Sequence, residues 1–334
     1  MLVTRIIPVI ILFCVVLPTH GQTPVDQDDV IRVDSDVTNL LLTATDKQRR
    51  FLTTLRAEDI KVFEDGAQQQ IFTFERETNR PLALAFLIDV SSSEERTLPL
   101  EKRAARLFIE RVIKSTTDQA AIIPFTGSAF LEQPLTHNVL GIYRALERVE
   151  IALPNYTGSG LRLSGIASGP GLAAAPLDGT TAIWEAIFLT SRDILAPLPP
   201  QRRRAIILLT DGHDTTSRVT RSEAVESVIG AEAVIYAIGI GDSKQDGVNR
   251  GTLKDIAERT GGRAFFPKKE EDLNAAFAEI EQELRTQYLI AYSSSNKNRD
   301  GSYRKISVEI TNPDLLKEKV LLRHRPGYFA TSIR

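Results

Sequence analysis

Five residues have types and spacing that suit the chemistry of a hard metal cation. Asp89-Val90-Ser91-Ser92-Ser93 follows a continuous apolar run, Leu82 to Ile88, and offers one carboxylate and two hydroxyls at alternate positions. A second apolar run, Ala205 to Leu209, ends in Thr210-Asp211-Gly212 and brings a second carboxylate. Between them, Gly179-Thr180-Thr181 precedes a helical pattern and supplies another hydroxyl. Oxygen donors of this kind suit Mg²⁺, Mn²⁺ or Ca²⁺ and suit zinc or copper poorly. With only two carboxylates among five oxygens, the cation is expected to stay under-neutralised. It would then attract an Asp or Glu carboxylate from another molecule, which is adhesion chemistry rather than closed storage.

Elements of a particular kind must hold these residues. Continuous apolar runs mark strands buried on both faces, as in a parallel sheet covered by helices. Such runs cover 82–88, 120–125, 205–209 and 233–240. Helical periodicity lies between them. Helices are expected over Glu101 to Ile113, with Ala104, Leu107, Phe108 and Val112 inward, and over Val139 to Val149, with Leu140, Tyr143, Leu146 and Val149 inward. Others are expected over 182–195, over 222–229 with Ser222 as cap, over 253–259 before Gly261-Gly262, and over 272–286. Alternation of this kind predicts a doubly wound, mostly parallel α/β domain over residues 81–286, whose ligands bind at the carboxyl ends of the strands. Asp89 and Asp211 fall at that edge.

The flanks alternate with period 2 instead. Residues 31–78 and 287–330 each read as short strands, and neither could bury an apolar face alone. The expectation is one small β-sandwich made from both ends, with the α/β domain inserted. Residues 150–179, rich in Gly, Ala and Ser, show no period. They are read as a loop over the site or an inert insertion.

At this point the sequence resembles the von Willebrand factor type A domain. The likeness lies in Asp89-x-Ser91-x-Ser93, Thr181 and Asp211, which match that family's metal-ion-dependent adhesion site, and in the order of elements over 81–286. It implies that Ser91 and Ser93 ligate metal directly, that Thr181 does so in some states, and that Asp89 and Asp211 act directly or through water. The pattern favours Thr181 over Thr180. Phe63-Glu64-Asp65-Gly66, Tyr288-Leu289-Ile290-Ala291-Tyr292 and Gly327-Tyr328 are similar to the flanks of bacterial secreted proteins that carry this domain.

The remaining features bound the function. Residues 1–21 carry a short basic start and an apolar run of about a dozen residues, too short for a span of roughly 20. They read as a signal peptide, followed by a flexible lead-in over 22–30, so the mature chain is expected to be periplasmic or secreted without a transmembrane span. Cys14, the one cysteine, lies in that segment, which leaves no disulfide to form. A net charge of −2 gives no reason to expect a nucleic-acid partner. His213 and Asp214 read as a surface loop pair, His137 and His324 show no metal spacing, and Trp184 reads as core. Gly239-Ile240-Gly241-Asp242 lacks the spacing of a dinucleotide loop, and no serine-hydrolase elbow occurs. The expected function is metal-dependent protein binding outside the cytoplasm, without enzymatic activity. The alternatives are a metal-dependent hydrolase, disfavoured because no spare carboxylate is evident as general base, and an envelope scaffold with a vestigial site.

Overall fold

A computed structural model describes residues 37–76, 80–113, 117–152, 161–162, 180–240 and 247–330. The signal-like segment, the lead-in, residues 31–36 and most of 150–179 lie outside the described residues.

In chain order the strands and helices are β1 (Val37–Thr45), β2 (Ile60–Glu64), β3 (Ala67–Gln69), β4 (Ile71–Arg76), β5 (Leu82–Asp89), α1 (Leu98–Val112), β6 (Gln119–Phe125), β7 (Phe130–Leu131), β8 (Gln133–Thr136) and α2 (Val139–Arg148). Then follow β9 (Leu161–Arg162), α3 (Ile183–Leu189), β10 (Arg203–Thr210), α4 (Arg221–Gly230), β11 (Ala233–Gly239), α5 (Arg250–Arg259), β12 (Arg263–Phe265) and α6 (Glu270–Thr286). The chain closes with β13 (Tyr288–Ser293), β14 (Tyr303–Ile310), α7 (Pro313–Lys317), β15 (Leu321–Arg323) and β16 (Gly327–Phe329).

The central sheet has the order β12-β11-β10-β5-β6-β8. All its pairings are parallel except β6 with β8. Side chains along each strand alternate between two apolar clusters, as the period of 2 requires. Leu82, Leu84, Phe86 and Ile88 of β5 face α1, α2 and α6, whereas Ala83, Ala85 and Leu87 face α3, α4 and α5. Helices therefore cover both faces, and every residue of β5 is buried. The sheet is an α/β domain of the expected kind.

The short antiparallel strand β8 is an addition to the sequence reading, which left residues 133–136 unassigned. Two inward assignments are corrected. Leu107 and Leu140 are 42% and 66% exposed. The buried stripe of α1 is Ala104, Ala105, Phe108, Ile109 and Val112, and that of α2 centres on Ile142, Ala145 and Leu146. Those positions keep the 3–4 spacing of one helical face, and Leu107 and Leu140 fall beside it. The cap of α4 is Thr220, not Ser222: Glu223 N donates to Thr220 Oγ1 at 3.2 Å, and Thr220 N donates to Glu223 Oε2 at 2.8 Å. Reciprocal bonds of this type form a capping box. The helix expected over 182–195 changes at Thr190 into a π-helical turn, Thr190–Leu195.

The two flanks pair with each other. β13 lies between β1 and β4, with Leu40 opposite Ile290 and Phe74 opposite Ile290 on the other side. β14 pairs with β2 and β16. One apolar cluster, including Leu40, Leu42, Val62, Tyr288, Ile290, Tyr292 and Ile306, draws on both sheets. β15 joins β1 rather than β14. The flank motifs meet at Glu64, a buried carboxyl that accepts hydrogen bonds from Tyr292 Oη at 2.9 Å, Tyr328 Oη at 3.1 Å and Ser294 Oγ. Three hydroxyls supply the donors that a buried carboxyl needs.

Candidate metal centre

In the sheet order, β5 lies between β10 and β6. β10 and β5 are also where the direction of winding reverses, and the crevice at their carboxyl ends is the ligand position of open α/β sheets. Asp89 is the last residue of β5 and Asp211 follows β10 directly. Asp89 is fully buried and tightly held. Thr210 Oγ1 donates to its Oδ2 at 2.6 Å, and Ser91 N donates to its Oδ1 at 3.0 Å. Ser91 Oγ lies 3.0 Å from Ser93 Oγ, so both hydroxyls face one point. Ser91 is buried and Ser93 is exposed, so the group opens outward through Ser93.

Thr181 reaches the same edge through its neighbours. Ala182 N donates to Thr126 O at 2.8 Å, and Thr126 Oγ1 donates to Thr180 O at 2.7 Å, which ties the segment to the end of β6. Thr181 N donates to Thr215 Oγ1 at 2.8 Å, and Thr215 N returns a bond to Thr181 O at 2.8 Å. The segment is thus held between the loops that follow β6 and β10, on either side of Asp89. Thr181 is buried and Thr180 is partly exposed.

Asp214 departs from its expected role as a loop surface residue. Its Oδ1 accepts from Ile183 N at 2.7 Å, Trp184 N at 3.3 Å and Ser217 Oγ at 2.5 Å, so it caps α3. The loop that carries Asp211 thereby fixes the helix that follows Thr181. His213 N donates to Asp211 Oδ1 at 2.9 Å, and its Nε2 lies 2.9 Å from Gly247 O. Trp184 packs against the apolar cluster of α3, α4 and α5, as expected for core.

The charge expected at the site needs correction. Two carboxylates were anticipated, but Asp89, Glu94 and Asp211 each place a carboxylate oxygen within 4.8 Å of the others. Glu94 closes the turn Ser92–Glu94 after the motif and is fully buried. Glu101, in the first turn of α1, is also buried. Among the described residues none of the four acids forms an ion pair with Lys, Arg or His. Burial raises Asp89 from 3.8 to about 6, against the hydrogen bonds from Thr210 and Ser91. Burial and mutual repulsion raise Glu94, and burial with the charge of Asp89 raises Glu101. The sequence held a signal for Glu101, which shares the inward face of α1 with Ala104, Ala105 and Phe108. Thr210 and Glu94 carried none, because a threonine inside a strand and one of two adjacent glutamates are unremarkable until folded.

The donor set fits a hard divalent cation. The oxygens are carboxylate and hydroxyl, the acids are crowded without a cationic side chain, and Glu94 Oε1 receives no hydrogen bond from a neutral donor. Thr210 orients Asp89 and in turn accepts from Gly212 N at 3.1 Å. Thr210→Val is expected to weaken divalent-cation binding by about 10- to 100-fold while the fold is retained, as loss of a ligand-orienting partner does. Calorimetric titration checks this, and unchanged affinity would remove Thr210 from the site.

The family model of the von Willebrand factor type A domain matches residues 172–279, which include Thr181 and Asp211 but begin after Ser93. The Asp89-x-Ser91-x-Ser93 half of the site is carried by the structure, which joins it to the matched half in one sheet. The chain contains a von Willebrand factor type A domain. Such domains commonly act in metal-dependent adhesion and mediate contacts between proteins. Among solved structures, similar ones include the von Willebrand factor type A protein of Catenulispora acidiphila, at 14% identity, 81% of this chain, 75% of that one and TM-score 0.47. Proximal thread matrix protein 1 of the mussel byssus, with a zinc-occupied MIDAS motif, gives 18%, 65%, 48% and 0.48, so the match spans about half of the mussel protein. The conserved hypothetical protein BatB of Bacteroides thetaiotaomicron gives 21%, 60%, 98% and 0.42. No curated protein matches. No helix among the described residues is long and apolar enough to cross a membrane.

Proposed function

We propose that the protein is an extracytoplasmic binding module in which Asp89, Ser91, Ser93, Thr181 and Asp211 hold a divalent cation, Mg²⁺ or alternatively Mn²⁺ or Ca²⁺, and the cation takes an Asp or Glu carboxylate from a protein partner. The observation that carries this reading is the outward gradient of the donor set. Asp89 is sealed beneath the site and Ser93 stands in solvent, so a cation held between them can be reached by a macromolecule. The small sandwich formed by both flanks is part of the same reading, a base that holds the ends of the domain away from this edge. The signal-like start, with no cysteine after Cys14, supports export.

Capture of a partner from envelope extract tests the proposal. Binding is expected with Mg²⁺, is lost in EDTA, and is lost in Asp89→Ala under either condition. Capture that survives EDTA, or is equal in Asp89→Ala, would sink it. Metal-dependent turnover of ester or phosphate substrates would replace it with a hydrolytic role.

A further inference from the structure

The hydroxyls and aspartates described above do not use every acid at the site. Glu94 is the residue immediately after the motif, and its backbone N donates to Ser91 O at 3.0 Å. This tight turn folds its side chain back under the serines, where it is fully buried. One oxygen, Oε2, accepts from Thr97 Oγ1 at 2.5 Å. The other, Oε1, is buried and without a partner.

We propose that Glu94 is an internal ligand of the cation, which occupies a coordination position while no partner is bound and is displaced by the partner's carboxylate. The inference rests on the metal-dependent binding proposed above and concerns how that site is kept closed. The first argument is distance. Ligands on opposite sides of a cation with bonds of about 2.1–2.5 Å lie about 4–5 Å apart. The oxygens of Asp89, Glu94 and Asp211 fall within 4.8 Å of one another, so one ion can touch all three.

The second argument is the orphaned oxygen. A buried carboxylate oxygen without a donor is destabilising. A cation satisfies it directly. The third is charge. Two carboxylates already match a divalent ion, so a third leaves the loaded site with net negative charge. An incoming acid then meets repulsion unless Glu94 leaves. Thr97, which already bonds Oε2, remains as its anchor when it does.

The test uses the chain from residue 22 onward, stripped of metal. Titration with Mg²⁺ or Ca²⁺ is expected to give one ion per chain in wild type and in Glu94→Gln, with affinity about 10- to 100-fold lower in the variant. With Tb³⁺ in place of the divalent ion, luminescence lifetimes in H₂O and D₂O count coordinated water. Glu94→Gln is expected to carry one more water than wild type, because the vacated position fills with solvent. Acetate is expected to bind the loaded variant more tightly than the loaded wild type. A residue that only supports the fold would lower the melting temperature in EDTA and leave the water count alone. Here the melting temperature of Glu94→Gln in EDTA is expected to equal or exceed that of wild type, because a buried unpaired acid has been removed. Equal water counts with affinities within about twofold overturn the inference. If Glu94→Gln fails to fold, Glu94→Asp, which shortens the arm and keeps the charge, takes its place, with the same extra water expected. Asp89→Ala separates the two levels. If wild type binds no cation, both readings fall, and if Asp89→Ala abolishes binding while Glu94→Gln matches wild type, only the internal ligand falls.

Discussion

Without a divalent cation the protein is expected to lose stability as pH rises from about 5 to 8, and with saturating cation the loss is expected to disappear. Folding raises Asp89 from 3.8 to about 6, with burial as the first cause. A carboxyl raised by folding stabilises the native state while protonated. Its contribution is complete below 3.8 and is lost as pH climbs through about 6. For Asp89 alone this amounts to about 3 kcal/mol, at roughly 1.4 kcal/mol for each tenfold change. Glu94 and Glu101, raised by burial first, continue the loss to higher pH. Glu223, Asp300 and His324 act in the opposite sense. The two acids are held below their ordinary 4.5 and 3.8 by hydrogen bonds from Thr220 and Ser302, so their effect falls below the window considered, whereas burial holds His324 below 6.5 and offsets part of the loss in the lower half of the window. A cation that binds the ionised acids of the native state adds about 4 kcal/mol when present at about a thousand times its dissociation constant. Thermal melts in EDTA and in Mg²⁺ or Ca²⁺, across this pH range, measure both effects. A melting temperature in EDTA that rises from pH 5 to 8 would contradict the assignment of these acids to a shared, unneutralised site.

Gly262→Ala is expected to destabilise the fold by on the order of 4 kcal/mol, enough to unfold a marginal domain. Gly261 adopts φ +88° at the end of α5, and Gly262 N then donates to Ala257 O at 2.8 Å. This turn lays Gly262 directly against β11. A Cβ there would sit 2.0 Å from Ile235 O and 2.9 Å from Ile235 C, both backbone atoms of a central strand. Neither can give way without breaking the β11–β12 register that starts at Tyr236 opposite Arg263. Gly251→Ala is the control. Gly251 lies in α5 with nothing within 4 Å of an added Cβ, so the same substitution is expected to be neutral or stabilising by up to about 1 kcal/mol. Urea unfolding of the pair reads opposite signs from one chemical change. A Gly262→Ala variant within about 1 kcal/mol of wild type would show that β11 tolerates the displacement.

Much of this architecture is legible in the sequence because burial on both faces leaves a plain trace. Leu82 to Ile88 and Ala205 to Leu209 are apolar without interruption, and both are central strands of the parallel sheet. Asp89, Ser91, Ser93, Thr181 and Asp211 come to the strand ends that their positions imply. Features set by side chains that meet only in three dimensions are less legible. Leu107 and Leu140 were expected inward, yet a leucine adjacent to a helical stripe satisfies a loose reading of the period as well as one within it. Asp214 gave no hint that it would cap a helix 31 residues earlier in the chain. Glu94 was missed because charge in a sequence is assumed to seek water, and a turn of three residues reverses that assumption. The π-helical turn at Thr190–Leu195 depends on backbone hydrogen bonds that have no compositional mark.

The pairing of β1 with β13 has a mechanical consequence. The chain enters the α/β domain after β4 and leaves it into β13, and β13 is hydrogen-bonded to both β1 and β4. A pull between Val37 and Phe329 therefore travels through the flank strands, from β1 across to β13 and on through β14 to β16. Residues 82–286 hang from that path as a closed loop and carry no tension until the flank pairing gives way. Asp89 and Asp211 would keep their spacing under load, and a grip made at the sheet edge would feel the force only through whatever the cation holds.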